Sequence, residues 1–468
     1  TLFRSMARRF WQGNGRWISL SLGLWAVGLV TGLAASVQTN SIPVIYCTDL
    51  FHPHEDPDDH FDLAVIFSLR ELDLKGIVLD QGKRQRQQPG KIPVSQLNRI
   101  TGRQIPVAAG LASKLASPGD KALDQEADYQ GGVRLILDTL RASPTPVMIA
   151  AVGSMRDVTA AFNREPELFR AKAGKLLIFI GEASEPGFQE YNVGLDPHAY
   201  TGLMRSGLPV YWVPCFDGGL WKNRGHASFW QAKHAELLRD AAPELVQYFI
   251  YALEKEQADP LAFLSAPVDS RRKAQLFAGT RNLWCTAIFG VLADKIAAAQ
   301  GAGYALVPLN ELTSAAPAKP LFGFSEVEIY VTDDAVVHYG KRADSQRVKR
   351  FEIRDPAKYA KGMTAITAQL LSKDALDPQR KSVFDHRVPP HPNPLPAGEG
   401  ASRAAFNDNY PAALATRRAM FLPLPQGEGR GEGEARGFYL KLVKDCFVPL
   451  TVPQAGSSSA PGLSPTQF

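Results

Sequence analysis

The chain has 468 residues, 45% hydrophobic and 21% charged, which supplies a sizeable core and excludes wholesale disorder, a collagen-like chain or a continuous coiled coil. At roughly 150 residues per domain it holds at most about three domains, and one large domain with tails fits equally well. Lys and Arg (52) nearly balance Asp and Glu (47), so the net charge of +5 gives no case for a nucleic-acid partner. The cysteines at 47, 215, 285 and 446 have no Cys-x-x-Cys spacing. A zinc ribbon, a thioredoxin-type motif and a dense disulfide framework are thereby excluded, with room left for one incidental disulfide.

A short basic segment containing Arg8, Arg9 and Arg16 precedes a charge-free run from Trp17 to Ala35, closed by the small residues Gly32, Ala34, Ala35 and Ser36. That layout reads as an export signal over residues 1–36, although about 19 apolar residues also suffice for an uncleaved membrane anchor. The expectation is an exported protein, periplasmic or extracellular, in contact with a membrane only if the segment is retained. Abundant calcium outside the cell then becomes a natural cofactor.

Short apolar runs next alternate with stretches of helical length, the pattern of a mostly parallel sheet with crossover helices. Predicted strands are 43–47, 75–79, 106–109, 146–152, 175–180 and 209–214; predicted helices are 62–72, 131–142, 155–162 and 197–206. Around Thr332-Asp-Asp, the segments 327–331 and 335–339 alternate in two-residue steps, which predicts a hairpin decorating the sheet or extending its edge. After Lys381 the composition shifts to Pro, Gly, Ala and Arg, and Pro394-Leu-Pro-Ala-Gly-Glu-Gly recurs as Pro423-Leu-Pro-Gln-Gly-Glu-Gly. Residues 381–468 read as a low-complexity, disordered tail, with a proline-rich binding segment as the functional alternative.

The densest chemistry follows the first strand. Asp49, Asp56, Asp58, Asp59 and Asp62 lie with His52, His54 and His60 inside fourteen residues. In open α/β sheets ligands bind at the C-terminal ends of strands, and carboxylates crowded together there are most simply reconciled by a hard divalent cation. The competing reading is a solvated acidic loop with Asp58 or Asp59 at a helix N-terminus. An EF-hand beginning at Asp56 fails, because its sixth position is Phe61 and its twelfth is Phe67. A dinuclear zinc site of the metallo-β-lactamase type begins well with His52-Pro-His54-Glu-Asp56 but meets Pro57 where a histidine is needed.

An Asp at a strand end followed by an Asp-Asp pair opening a helix resembles the inosine-uridine nucleoside hydrolase family. Asp49, Asp56, Asp58 and Asp59 stand in that pattern, with a longer loop and with Cys47 in place of the family's first Asp. Further matches follow in order. Ile105-Pro-Val-Ala-Ala-Gly110 is similar to a family strand, Gly153-Ser-Met-Arg156-Asp157 to its Gly-Pro-Leu-Thr-Asn turn, Glu190-Tyr-Asn192 with Asp196-Pro197 to its Glu-Phe-Asn segment, and Asp259-Pro-Leu-Ala262 to its late metal-ligand motif.

The resemblance spans about residues 43 to 265. It implies a nucleoside-hydrolase-like α/β domain over residues 42–375, an open and mostly parallel sheet flanked by helices. It further implies Ca2+ held by Asp49, Asp59, the Arg156 carbonyl and Asp259, with Asp49 as general base. Asp58, Glu190 and Asn192 are implied to hold ribose hydroxyls of a nucleoside or other riboside. The competing role for Glu190 and Asn192 is capping the loop before the next helix.

Three departures stand out: Arg156-Asp157 replaces Thr-Asn, Ala258 stands where many members carry a leaving-group histidine, and the family's Gly-Asn segment after the second strand is missing. The expected activity is calcium-dependent hydrolysis of an N-glycosidic bond. Two alternatives stay open: a non-catalytic sugar or nucleoside binder, and a metal-dependent hydrolase of another class using His52, His54 or His60. A homo-oligomer is left open too. The aromatic residues Trp212, Phe216, Trp221, Phe229 and Trp230 read as core, with stacking on a base or sugar as the alternative, and Lys83-Arg84-Arg86 as a solvated loop, with phosphate recognition as the alternative.

Overall fold

The computed structural model describes residues 41–185, 188–312 and 318–377. The expected export segment (1–36) and the Pro/Gly-rich tail (381–468) lie outside the described residues. The chain begins with β1 (Ile42–Thr48), α1 (Asp58–Ser68), β2 (Leu72–Leu79), α2 (Lys91–Thr101) and β3 (Val107–Ala109). There follow α3 (Gly131–Ala142), β4 (Val147–Val152), α4 (Arg156–Arg164), α5 (Pro166–Lys172), β5 (Ala173–Phe179), α6 (Tyr191–Leu195), α7 (Pro197–Met204) and β6 (Val210–Val213).

The strands read as continuous apolar runs because both faces of this parallel sheet are covered. Successive side chains alternate between two cores: Val44 and Tyr46 of β1 enter one, Ile45 and Cys47 the other. In β5, Leu177 and Phe179 go to the first face, Leu176 and Ile178 to the second. The first core is closed by α1 and by α9 (Pro243–Leu253), where Phe61 stacks on Phe249 at 4.2 Å between ring centroids. The second lies beneath α3, α4 and α7, and includes Val133, Ile136, Val158, Tyr200 and the fully buried Trp212.

The first six strands are ordered β6-β5-β4-β1-β2-β3, and the pairs among them are parallel. The chain winds outward from β1 through β2 and β3, then returns to the other side of β1 with β4. The crevice between the C-terminal ends of β1 and β4 is therefore the topological switch point, where ligands bind in this class of sheet.

The segment after β6 holds a ladder of β7 (Trp230–Lys233) with β8 (Thr280–Leu283), α8 (His234–Leu237), α9, α10 (Pro260–Ser265) and α11 (Ser270–Ala278). A 3-10 run over Thr286–Ala293 leads into a three-stranded sheet of β9 (Lys295–Gln300), β10 (Gly303–Pro308) and β11 (Lys319–Pro320). The predicted hairpin is present: β12 (Phe322–Val331) and β13 (Val337–Tyr339) pair antiparallel, with Val331 opposite Val337. It joins the main sheet through β14 (Gln346–Ile353), which runs antiparallel to β12 and parallel to β6, and so extends that edge to nine strands. Helices α12 (Tyr359–Leu370) and α13 (Lys373–Leu376) end the described chain.

One predicted helix shifts. α1 starts at Asp58, not Asp62, because Pro57 is compatible with the position before a helix and the two carboxylates favour its first turn. The cysteines at 47, 215 and 285 are all buried and free, so none of them forms a disulfide.

After β4 the chain turns through Gly153 at φ +99°, a conformation side chains resist, and a Cβ there would lie 3.0 Å from both Asp49 Oδ1 and Asp80 Oδ2. Gly153→Ala is expected to cost about 1–3 kcal/mol through strain and crowding, read as a lower urea midpoint. An unchanged midpoint would mean that the turn relaxes freely.

Candidate active site at the switch point

Asp49 leaves the C-terminal end of β1, and α1 brings Asp58 and Asp59 to the same crevice in its first turn. A helix N-terminus carries partial positive charge, which offsets part of the repulsion between neighbouring carboxylates. The Thr48 hydroxyl donates to Asp59 Oδ1 at 2.9 Å and fixes that side chain against the strand. One helical turn on from Asp58, Asp62 points to the same side, accepting the Thr286 N–H at 3.0 Å, with the Cys285 thiol beside it. Asp80, after β2, accepts the Ser154 N–H and hydroxyl, both at 2.8 Å, and ties the β4 turn to the cluster.

These groups open on a cleft enclosing about 1060 Å³ out to its mouth, lined by Asp49, Asp58, Asp59, Asp62, Glu190 and Asn192 on its polar side. Phe51, Phe179, Tyr191, Phe216 and Trp284 supply its aromatic side, and the Cys215 and Cys285 thiols also reach it. Of the sequence-predicted site residues, five come together here: Asp49, Asp58, Asp59, Glu190 and Asn192.

Arg156 and Asp259 do not line the cleft. Arg156 opens α4 and its guanidinium turns toward Asp196 (3.2 Å) and the Leu195 carbonyl (2.9 Å), a buried pairing that the expected carbonyl role did not anticipate. Asp259 is exposed and spent as the N-cap of α10, accepting from Leu261 N at 3.0 Å and Ala262 N at 2.6 Å. Ala258 is exposed beside it, so its identity says nothing about leaving-group chemistry in the cleft.

Glu190 is buried and does two jobs. Its carboxylate caps α6 through Asn192 N (3.0 Å) and Val193 N (3.4 Å) and also accepts from Gly181 N (3.0 Å). A carboxylate offers about four lone-pair sites, so capping leaves capacity for a ligand hydroxyl.

Burial dominates the electrostatics. It pushes the Asp49 carboxyl up to about 7, with Asp80 adding to the rise and Arg84 opposing it. Asp62 is likewise raised to about 7 by burial, against the hydrogen bonds from Cys285 and Thr286. Asp58 and Asp59 are raised well above the carboxylate range by burial and by their acidic neighbours. Carboxylates held this close and dry are short of positive charge, and their oxygens are the donor type a hard divalent cation takes. Among the described residues, no three His, Cys, Asp or Glu side chains are already disposed to hold a metal ion.

None of the three histidines lines the cleft. His52 stacks on Tyr251 with its Nε2 2.7 Å from the Glu256 carbonyl, and His54 lies edge-on to His60 at 5.9 Å. Burial drives the His54 imidazole down to about 4 and His60 well below its usual value. Arg84 is not simply solvated: it lies 4.0 Å over the Phe51 ring and pairs with Glu55 at the rim. Phe216, expected in the core, contributes to the cleft as well as packing inward.

Sequence reasoning put Asp62 in the acidic cluster without giving it a role and missed Cys285 and Trp284. Asp62 was legible, since i and i+4 positions share a helix face. The Trp284-Cys285 wall had no local signal, because it arrives from more than two hundred residues away.

The family model for inosine-uridine preferring nucleoside hydrolases matches residues 48–341. A pyrimidine-specific ribonucleoside hydrolase, RihA, of Citrobacter koseri is 28% identical over 189 residues, which are 36% of this chain and 59% of that protein. The corresponding RihA of Escherichia coli O7:K1 is 26% identical over the same shares. The match therefore spans about three-fifths of the length of these relatives. Among solved structures, a plant nucleoside hydrolase (PpNRh1) aligns with a TM-score of 0.42 at 16% identity, covering 72% of this chain and all of that one. An inosine-uridine preferring nucleoside hydrolase from Bacillus anthracis aligns with a TM-score of 0.39 at 13% identity, covering 70% and 99%. The family match takes in more than half of the chain and contains the whole cleft, and the chain belongs to the inosine-uridine preferring nucleoside hydrolase family.

Proposed function

We propose that this protein is an exported, calcium-dependent N-glycosyl hydrolase that releases the base from a ribonucleoside or a related N-riboside. The observation that carries the reading is the meeting of Asp49, Asp58 and Asp59 with Glu190 and Asn192 in one cleft at the sheet's switch point. Asp49 and Asp59, with Asp58 beside them, are the side chains that would hold the cation. When bound, that ion supplies the positive charge that makes a water easier to deprotonate.

Asp49, at the end of β1 in the cleft, is the carboxylate that would take the proton from the attacking water. Asp58, the free lone pairs of Glu190 and the Asn192 amide orient ribose hydroxyls. Fixing the sugar in this way favours the flattened, positively charged anomeric carbon of glycosyl transfer to water. The buried position of the three histidines behind the loop speaks against the reading that builds a metal site from them. The N-terminal apolar run supports export and the exclusion of a cytosolic cofactor.

Ribose release from purine and pyrimidine nucleosides by the full-length protein tests the proposal. Asp49→Ala is expected to lower kcat by roughly 10²- to 10⁴-fold, and chelation of calcium to abolish turnover reversibly. Asn192→Ala is expected to raise KM more than it lowers kcat, because it removes a sugar contact. Calcium binding without release of ribose from any riboside would leave a binding protein as the better account.

The raised carboxyls also predict how stability depends on pH. Asp49, Asp62 and Asp157, each at about 7 when folded, keep protons in the native state that the unfolded chain gives up near pH 4. In metal-free protein they therefore withdraw stability as pH rises from about 4 through 7. Urea midpoints at pH 5 and pH 8 measure the slope. Calcium is expected to flatten the part due to Asp49, and Asp157→Asn to flatten a part that calcium does not touch.

A further inference from the structure

We propose that the cleft is specialised for an N-riboside whose aglycone is an aromatic cation, such as a pyridinium or an N-alkylated purine; this rests on the N-glycosyl hydrolase function above and names its substrate class.

The first support is charge. Seven carboxylates line the cleft, and among the described lining residues there is no Lys, Arg or His. Two of the seven, Glu55 and Asp56, are answered from behind by Arg84 and by Arg281 at 3.4 Å. The remaining five have no ion pair with a cationic side chain among the described residues. Carboxyl oxygens with no cationic side chain among the described lining residues favour a cationic ligand over a neutral one.

The second is the opposite wall. Phe216 stands among aromatic rings, 5.8 Å from Phe188, 5.3 Å from Trp221 and 6.2 Å from Trp284 between centroids. Of these rings Phe216 and Trp284 line the cleft, where an aromatic ring holds a flat aromatic group more tightly when that group carries positive charge.

The third is the supply of protons. A neutral purine must gain a proton as it leaves, so a donor should face it. On the aromatic side the Trp284 indole N–H is committed to the Cys215 carbonyl at 3.1 Å, and the Tyr191 hydroxyl is directed at Glu55 at 3.4 Å. Burial holds the Cys215 and Cys285 thiols well above the ordinary thiol range, so the acids the cleft offers a neutral aglycone are its raised carboxyls, Asp62 among them. A cationic aglycone needs none of these. As the bond from the anomeric carbon to the ring nitrogen breaks, its electron pair returns to the nitrogen and cancels the positive charge, and the aglycone departs neutral. The water oxygen bonds to the anomeric carbon, and its proton passes to Asp49.

The test compares kcat/KM of the calcium-loaded, full-length protein for nicotinamide riboside and 7-methylguanosine with that for uridine and inosine. The cationic pair is expected to exceed the neutral pair by at least about tenfold. Equal or faster cleavage of uridine or inosine overturns this inference and leaves the hydrolase reading standing. No ribose from any of the four, with calcium bound, overturns the hydrolase reading itself. Trp284→Leu is expected to lower the cationic-to-neutral ratio several-fold, and an unchanged ratio would remove the aromatic wall from the argument. Should that variant fail to fold, the wild-type ratio decides alone.

Discussion

Like charge held in a dry place is the constraint from which the architecture around the cleft follows. Asp49, Asp58, Asp59 and Asp62 sit where a parallel sheet divides, and burial, with acidic neighbours adding to it, raises each of them. Such a cluster survives only if donors surround it. The Thr48 hydroxyl, the Thr286 N–H and the start of α1 supply those donors from three separate parts of the chain. The sheet and its two cores can be understood as the rigid frame that keeps these donors in register against the repulsion.

The two-sided cleft follows from the same arrangement. The end of β1, the loop and first turns of α1 after it, and the loop after β5 deliver the acidic groups of the cleft. Phe51, Phe179 and Tyr191 reach the cleft from those same segments, and the long excursion after β6 adds Phe216 and Trp284, packed with Trp221 and Phe229.

Much of this was legible before any coordinates. The six parallel strands are continuous apolar runs bounded by prolines and glycines, and their periodicity is local, so each appears in place to within a few residues. The acidic stretch after β1 was equally plain because all its members lie within one loop and one helical turn. What the chain hides is distance. Asp259-Pro-Leu-Ala has the right local spelling for a metal ligand, yet the same spelling makes a good helix cap, and in α10 the cap is what it forms. Trp284-Cys285 carries no motif at all and enters the cleft only because the 3-10 run behind it packs under β1 and β5 through Phe289. The buried pairing of Arg156 with Asp196 was hidden in the same way, since its members belong to different crossover helices.

The double engagement of Glu190 has a consequence for how this protein can change. Its carboxylate closes the first turn of α6 and anchors Gly181 at the end of β5 while lining the cleft. A substitution that reshapes the cleft at this position must also supply a new helix cap, so two unrelated requirements are welded to one side chain. A variant at Glu190 is therefore judged by the backbone it uncaps as much as by the cleft it lines.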